Sequence, residues 1–250
     1  MPKLPRFAPI GSFALAATLA ACGDTPTALE NLVKLPGGGA LYFQGAAANS
    51  PQRPRIEEIV KATVASARDR IPLDNITVTV GHGTEGRGLI PQFGFGGLAN
   101  AGAVAITIDP ANPAWPASLE TEFDRLLAHL FHHLARFRLI GFNDHLLDAL
   151  VTEGLADHFT VELLGGEPAI WTSAVQGAEL EMWIQTASET WLEPEFDRAP
   201  WFHVGVESEV PTWTGYAIGW ELTSRYLEAH PEASASTLLN APGEAFAPAE

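Results

Sequence analysis

The chain has 250 residues, 46% of them hydrophobic, and a formal net charge of -16 from 14 Lys+Arg against 30 Asp+Glu. That is enough apolar material for one well-buried domain. The acidity excludes nucleic acid as a partner, because neutralising phosphates needs clustered cations, and an anionic membrane surface would repel the fold. The one cysteine, Cys22, excludes an intrachain disulfide.

At the N-terminus, Lys3 and Arg6 form a short basic region, and residues 13–21 form an apolar stretch too short to span a bilayer. Leu19-Ala20-Ala21-Cys22 resembles the lipobox of bacterial lipoproteins. The resemblance implies that residues 1–21 are a signal peptide removed before a lipid-modified Cys22. The protein would then be a membrane-anchored lipoprotein of the cell envelope, facing outside the cytoplasm. Residues 22–53, interrupted by Pro26, Pro36, Gly37-Gly38-Gly39 and Pro51, read as a flexible tether, and residues 54–250 as the folded domain.

The periodicity of Ile56, Ile59, Val60, Val64 and Ala67 predicts a helix over 56–71, ended by Pro72. Residues 76–80 alternate and are rich in β-branched side chains, which predicts a strand. The glycine-rich residues 93–98 read as a weak or edge strand able to receive an extended peptide, and 104–108 as a third strand. Ser118 is a candidate N-cap for a long helix over 118–137. Further helices are predicted over 145–164, 171–191 and 215–229, with an irregular aromatic segment at 194–211. Strands first and helices after give an α+β fold.

The chemistry lies on the first two long helices. His129 and His133 are four residues apart, so they share one helix face and can bind one zinc ion. Glu153 follows His133 by twenty residues, far enough for a turn and the start of a second helix. Two His and one Glu make the three-ligand set of a catalytic zinc with a fourth position open. Asp157, four residues past Glu153, shares its face and is placed to accept a hydrogen bond from the non-ligating nitrogen of a metal-bound His. His132, about 100° around the helix from His133, reads as surface or supporting packing, as do His145 and His158. Arg136 and Arg138 read as salt-bridged structure. His203 and Tyr216 are candidates for oxyanion stabilisation, set against simple aromatic packing.

The segments around His129, His133 and Arg136, and Glu153-Gly154-Leu155-Ala156-Asp157 through Phe159, resemble a bacterial family of predicted zinc-dependent proteases long catalogued as a domain of unknown function. Phe95-Gly96-Gly97, Ile108-Asp109-Pro110, Gly215-Tyr216 and Gly219 resemble it too, so the likeness spans about residues 56 to 245. It implies a zincin-like fold, with a small twisted sheet beside two zinc-bearing helices, and Zn2+-dependent hydrolysis of a peptide or protein. The family pattern H-E-x-x-H places a glutamate directly after the first His, as general base toward the attacking water. Here that position is Leu130. Loss of such a base is worth about 10²–10⁴-fold in rate. Leu130 therefore leaves a pseudoenzyme, an inactivated variant or a recruited base as readings, and zinc binding outranks turnover. The alternative is a non-catalytic peptide- or protein-binding envelope lipoprotein.

Overall fold

The computed structural model describes residues 32–83, 89–142 and 144–248. Cys22, and with it the signal-peptide and lipid-anchor reading, lies outside the described residues.

The fold is α+β. Six strands form one mixed sheet in the order β1-β2-β3-β6-β5-β4. They are β1 (Leu32–Lys34), β2 (Ala40–Phe43), β3 (Thr77–His82), β4 (Leu89–Ile90), β5 (Phe95–Ala99) and β6 (Ala103–Ile108). The pairs β2–β3 and β3–β6 are parallel; the remaining pairs are antiparallel. Alternation decides which way the sheet faces. Leu41, Phe43, Val78, Val80, Val104, Ile106 and Ile108 are buried on one face, whereas Tyr42, Thr77, Thr79, Ala105 and Thr107 on the other are at least partly exposed. The buried face carries α1 (Arg53–Arg68), which connects β2 to β3, and α3 (Phe123–Ile140).

Residues 32–53 correct the tether reading, since they form β1, β2 and the approach to α1. Leu35, Leu41, Phe43 and Ala47 are buried in the core. The glycines taken as breakers make a hairpin. Gly37 and Gly38 take φ of 76° and 82°, a region that side-chain-bearing residues rarely enter. A Cβ on Gly39 would lie 2.7 Å from the Ile76 carbonyl oxygen. The segment at 93–98 is an edge only in its later part, since β4 pairs with Phe95 and Gly96 and no described strand lies beyond Gly97 and Leu98. The strand is β5, next to the two-residue β4 at the end of the sheet.

The long helix predicted over 118–137 is two. α2 (Trp115–Thr121) contains Ser118 in its interior, so Ser118 is not a cap, and α3 restarts after Glu122 and runs to Ile140. α4 (Leu146–Leu164) follows the prediction, with the His145 side chain accepting the Asp148 backbone N–H as N-cap. The helix predicted over 171–191 is a 3-10 turn at Ile170–Ser173 and then α5 (Gly177–Ser188). The irregular aromatic segment contains a short helix, α6 (Ala199–Phe202), and α7 (Thr214–Ala229) closes the helical layer. No helix among the described residues is long and apolar enough to cross a membrane.

Two packing features position the site. First, α4 and α7 cross with their backbones in contact. A Cβ on Gly154 would lie 2.0 Å from the Gly219 carbonyl oxygen, and one on Gly219 would lie 2.1 Å from that of Leu150. Only glycine allows this approach, and it brings Tyr216 of α7 alongside the turn of α4 that bears Glu153. Second, the C-terminal segment is fastened to α3 and α4 by side chains. Arg136, fully buried, donates to the Leu239 and Ala241 carbonyls at 3.1 and 2.9 Å and to Thr152 Oγ1 at 3.0 Å. Burial pulls its guanidinium down to about 10. Asp148 accepts the Gly243 N–H at 3.1 Å. Arg138 likewise donates to carbonyls, those of Ala101 and Asp74. Among the described residues neither arginine makes the ion pair expected of it; both hold backbone carbonyls of loop segments.

Candidate metal centre

Residues 126–136 of α3 are buried without interruption, because the sheet, α4 and the C-terminal segment surround the helix. α4 is buried almost as completely, from Leu146 to Asp157 apart from Asp148. Two such helices packed together leave few places for polar groups, and those present have to meet one another. His129, His133, Glu153 and Asp157 are all buried, and they lie within hydrogen-bond distance of one another in one cluster.

His129 Nε2 lies 3.1 Å and His133 Nε2 3.0 Å from one oxygen, Glu153 Oε2. On its far side, His129 Nδ1 lies 2.8 Å from Asp157 Oδ1. The second Asp157 oxygen, Oδ2, accepts the Trp171 indole N–H at 2.8 Å. Asp157 is thereby fixed at both oxygens and orients the His129 ring. The second Glu153 oxygen, Oε1, is ion-paired with Arg198.

This donor set suits a divalent cation. If His129 Nδ1–H donates to Asp157, its Nε2 is bare and faces a carboxylate oxygen lone pair to lone pair, an arrangement that calls for a cation between them. Ligand atoms around a tetrahedral zinc with bonds of ~2.0–2.1 Å are ~3.3 Å apart, close to the spacing found here. In the protein alone that cation is a proton. Burial opposes charge on His129, but Asp157 and Glu153 outweigh it and hold the ring up at about 10. Burial pushes His133 below its ordinary value despite Glu153. Burial alone would raise the Glu153 carboxyl, but His133, Arg198 and His129 hold it well below the carboxylate range. The metal-free set is thus an imidazolium, a neutral imidazole and a carboxylate anion, and the proton between His129 and Glu153 is the one a metal ion would displace.

Leu130 is buried and packs against β5, where a Cβ on Gly97 would lie 2.6 Å from Leu130 Cδ1. It offers no proton acceptor. Tyr216 is adjacent to the centre, its ring 5.7 Å from that of Trp171 and 5.3 Å from that of Phe202. Burial and the nearby Glu153 charge raise its phenol well above its usual value, so it keeps its proton and can only donate near neutrality. His203 follows Phe202 at the C-terminal end of α6, with its backbone N–H on the Ala199 carbonyl.

Three further histidines sit apart from the ligand set. His132 is fully buried rather than on a surface. Its Nε2 lies 3.2 Å from the Ala235 carbonyl and its ring lies against Phe159. Of the two readings, surface and supporting packing, only packing remains, because α3 has no solvent face along this stretch. His158 stacks on Trp220 with ring centroids 3.7 Å apart, and His145 caps α4. Sequence reasoning missed Arg198 and Trp171. Arg198 is 45 residues past Glu153 in an irregular segment, and no spacing rule links them.

Residues 56–248 match the family described as "Predicted Zn-dependent protease (DUF2268)". The chain belongs to that family. It is also 27% identical over 150 residues to the "Uncharacterized protein YjfC" of Bacillus subtilis (strain 168), a stretch that is 55% of this chain and 48% of that relative. The chain therefore spans about half the length of this relative. The family description and the buried His129, His133 and Glu153 group agree on zinc as the metal that this donor set would hold.

Proposed function

We propose that this member of the zinc-dependent protease family binds one zinc ion through His129, His133 and Glu153, with Asp157 orienting His129. In this reading it engages a peptide or protein with little or no hydrolysis. The observation that carries it is the convergence of both imidazole Nε2 atoms on one Glu153 oxygen, next to a buried leucine at the position of the base. Bound there, zinc would supply Lewis acidity toward a carbonyl oxygen. Tyr216, still protonated, would donate to that oxygen, with His203 from the end of α6 a second candidate. Neither can remove a proton as a glutamate at 130 would, and Leu130 leaves that step without a group.

The alternative, a non-catalytic binding module, gains from how Leu130 sits. It fills the space left by Gly97 beneath β5, so the position is built into the core. We further propose that Cys22 carries a lipid that holds the domain at the membrane outside the cytoplasm, as the lipobox-like segment suggests. Cys22→Ser would then move the protein out of the membrane fraction.

Elemental analysis of the purified protein tests the metal. About one zinc per chain supports the reading; none under metal-replete purification rejects it. Peptide cleavage by the parent and by Leu130→Glu separates the two functions. A gain of about 10²–10⁴-fold on restoring the carboxylate marks an intact cleft lacking only its base. Equal zinc-dependent cleavage by both would overturn the role given to position 130, and cleavage by neither favours the binding module.

A further inference from the structure

The two oxygens of Glu153 are used differently. Oε2 faces the His129 and His133 nitrogens, while Oε1 is ion-paired with Nη2 of Arg198. The Glu153 side chain is 4% exposed and that of Arg198 37%, so the arginine reaches inward from the rim to a carboxylate that solvent does not reach. Its position is set by packing. The guanidinium lies 4.2 Å from the centre of the Phe202 ring. Phe202 in turn stands edge-on to Tyr216 and against Gly215, where a Cβ would lie 2.6 Å from the Phe202 ring. Arg198 is thus tied through α6 to the start of α7, the helix whose glycine crosses α4 one residue after Glu153.

Buried carboxylates need counter-charge, and this site buries two, Glu153 and Asp157, around the space that a divalent cation would fill. Arg198 supplies that charge from the outer side, without occupying the space between Oε2 and the imidazoles. It also removes Oε1 from the atoms free to turn toward a metal. We propose that Arg198 is a positioning residue with two effects: it keeps Glu153 a one-oxygen ligand, and it serves as the standing counter-ion that holds the ligand set together when no metal is bound. The proposal rests on the zinc reading above, and it concerns the architecture of the centre, whether or not the chain hydrolyses anything.

The test uses the full chain as parent, Arg198→Leu and Arg198→Lys, each metal-free, zinc-loaded and cobalt(II)-loaded. Melting temperature is read in the first two states and the visible d–d spectrum in the third. With Arg198→Leu, the metal-free protein should lose several degrees and the zinc-loaded protein far less, since zinc takes over the charge of Glu153. The cobalt bands should weaken, because a freed Oε1 would join the ion and raise its coordination number. Arg198→Lys should recover part of the metal-free loss by restoring the charge. Arg198→Gln gives the same comparison should the leucine variant not fold. Equal losses with and without zinc, or an unchanged cobalt spectrum, would overturn the proposal and leave Arg198 as packing on Phe202. Uptake of neither ion by the parent would overturn the zinc reading itself, and the proposal with it; that outcome is seen in the parent before any variant is made.

Discussion

Two groups of one or two histidines with carboxylates are built on α3 and α4, the second completed by Glu244 of the C-terminal segment, and they differ in a way that separates a candidate metal centre from a capping network. In the first, His129 Nδ1 faces Asp157 at 2.8 Å, which leaves Nε2 turned to Glu153 with a proton between them that a metal ion can replace. In the second, His145 Nδ1 accepts the backbone N–H of Asp148 at 3.3 Å, so Nε2 carries the proton, toward Asp148 Oδ2 at 3.3 Å and Glu244 Oε1 at 3.5 Å. The first group is buried throughout, while Glu244 in the second is 56% exposed. The residue types are nearly the same. What differs is which ring nitrogen the backbone or a fixed carboxylate has claimed, and that decides whether a cation can replace the proton on the facing nitrogen or meets a fixed N–H.

The sharpest way to break this comparison is to remove one histidine from each group. His133→Ala should abolish stoichiometric zinc, whereas His145→Ala should leave it unchanged and lower stability by only about 1 kcal/mol, the usual worth of an N-cap. Zinc content by elemental analysis and urea midpoints would check both. Loss of zinc in His145→Ala would refute the tautomer argument.

A smaller change tests whether helix packing holds the first group. Gly219→Ala drives a methyl into the Leu150 carbonyl, with backbone on both sides and nothing flexible to give way. It should destabilise by about 3 kcal/mol or more, at or beyond the upper end of ordinary overpacking. It should also weaken zinc binding, because Glu153 sits at that crossing. An unaltered melting temperature would mean that α4 and α7 can separate freely.

The smallest effect concerns His132, a fully buried histidine that belongs to neither group. Burial pushes its ring well below the ordinary value. A histidine that stays neutral in the folded state while its unfolded form takes up a proton loses stability as pH falls. The loss starts near the unfolded value of about 6.5 and continues until the folded ring itself titrates. In metal-free protein, the His132→Gln variant should show a shallower fall in urea midpoint between pH 7 and pH 5, by up to about 1.4 kcal/mol per pH unit. Identical pH slopes would show that His132 is not the group being protonated.

Local sequence was enough wherever one helix or strand sets its own geometry. The spacing of Ile56, Ile59, Val60 and Val64 located α1, and the alternation at 76–80 and 104–108 located β3 and β6. The four-residue steps from His129 to His133 and from Glu153 to Asp157 named all the inward polar groups of α3 and α4 that the folded site gathers. A helix carries its own register, so two such steps on neighbouring helices leave little freedom. Leu130 could be read the same way, as the absence of a base at a fixed offset.

Tertiary structure decided the rest, for one physical reason: the groups concerned are held by contacts distant in sequence. The Gly37-Gly38-Gly39 run looks the same in a tether and in a hairpin, and it is a hairpin because β2 finds β3 to pair with. His132 and His133 are neighbours on one helix and both are buried, but His133 meets Glu153 whereas His132 is covered by Phe159 and by the C-terminal segment at Ala235. Trp171 and Arg198 come from segments without periodicity, and they reach Asp157 and Glu153 only once α4 and α7 have closed on their glycines. The sequence by itself determined which side chains could share a metal; only the packing of distant segments decided which of their atoms would be left free to meet it.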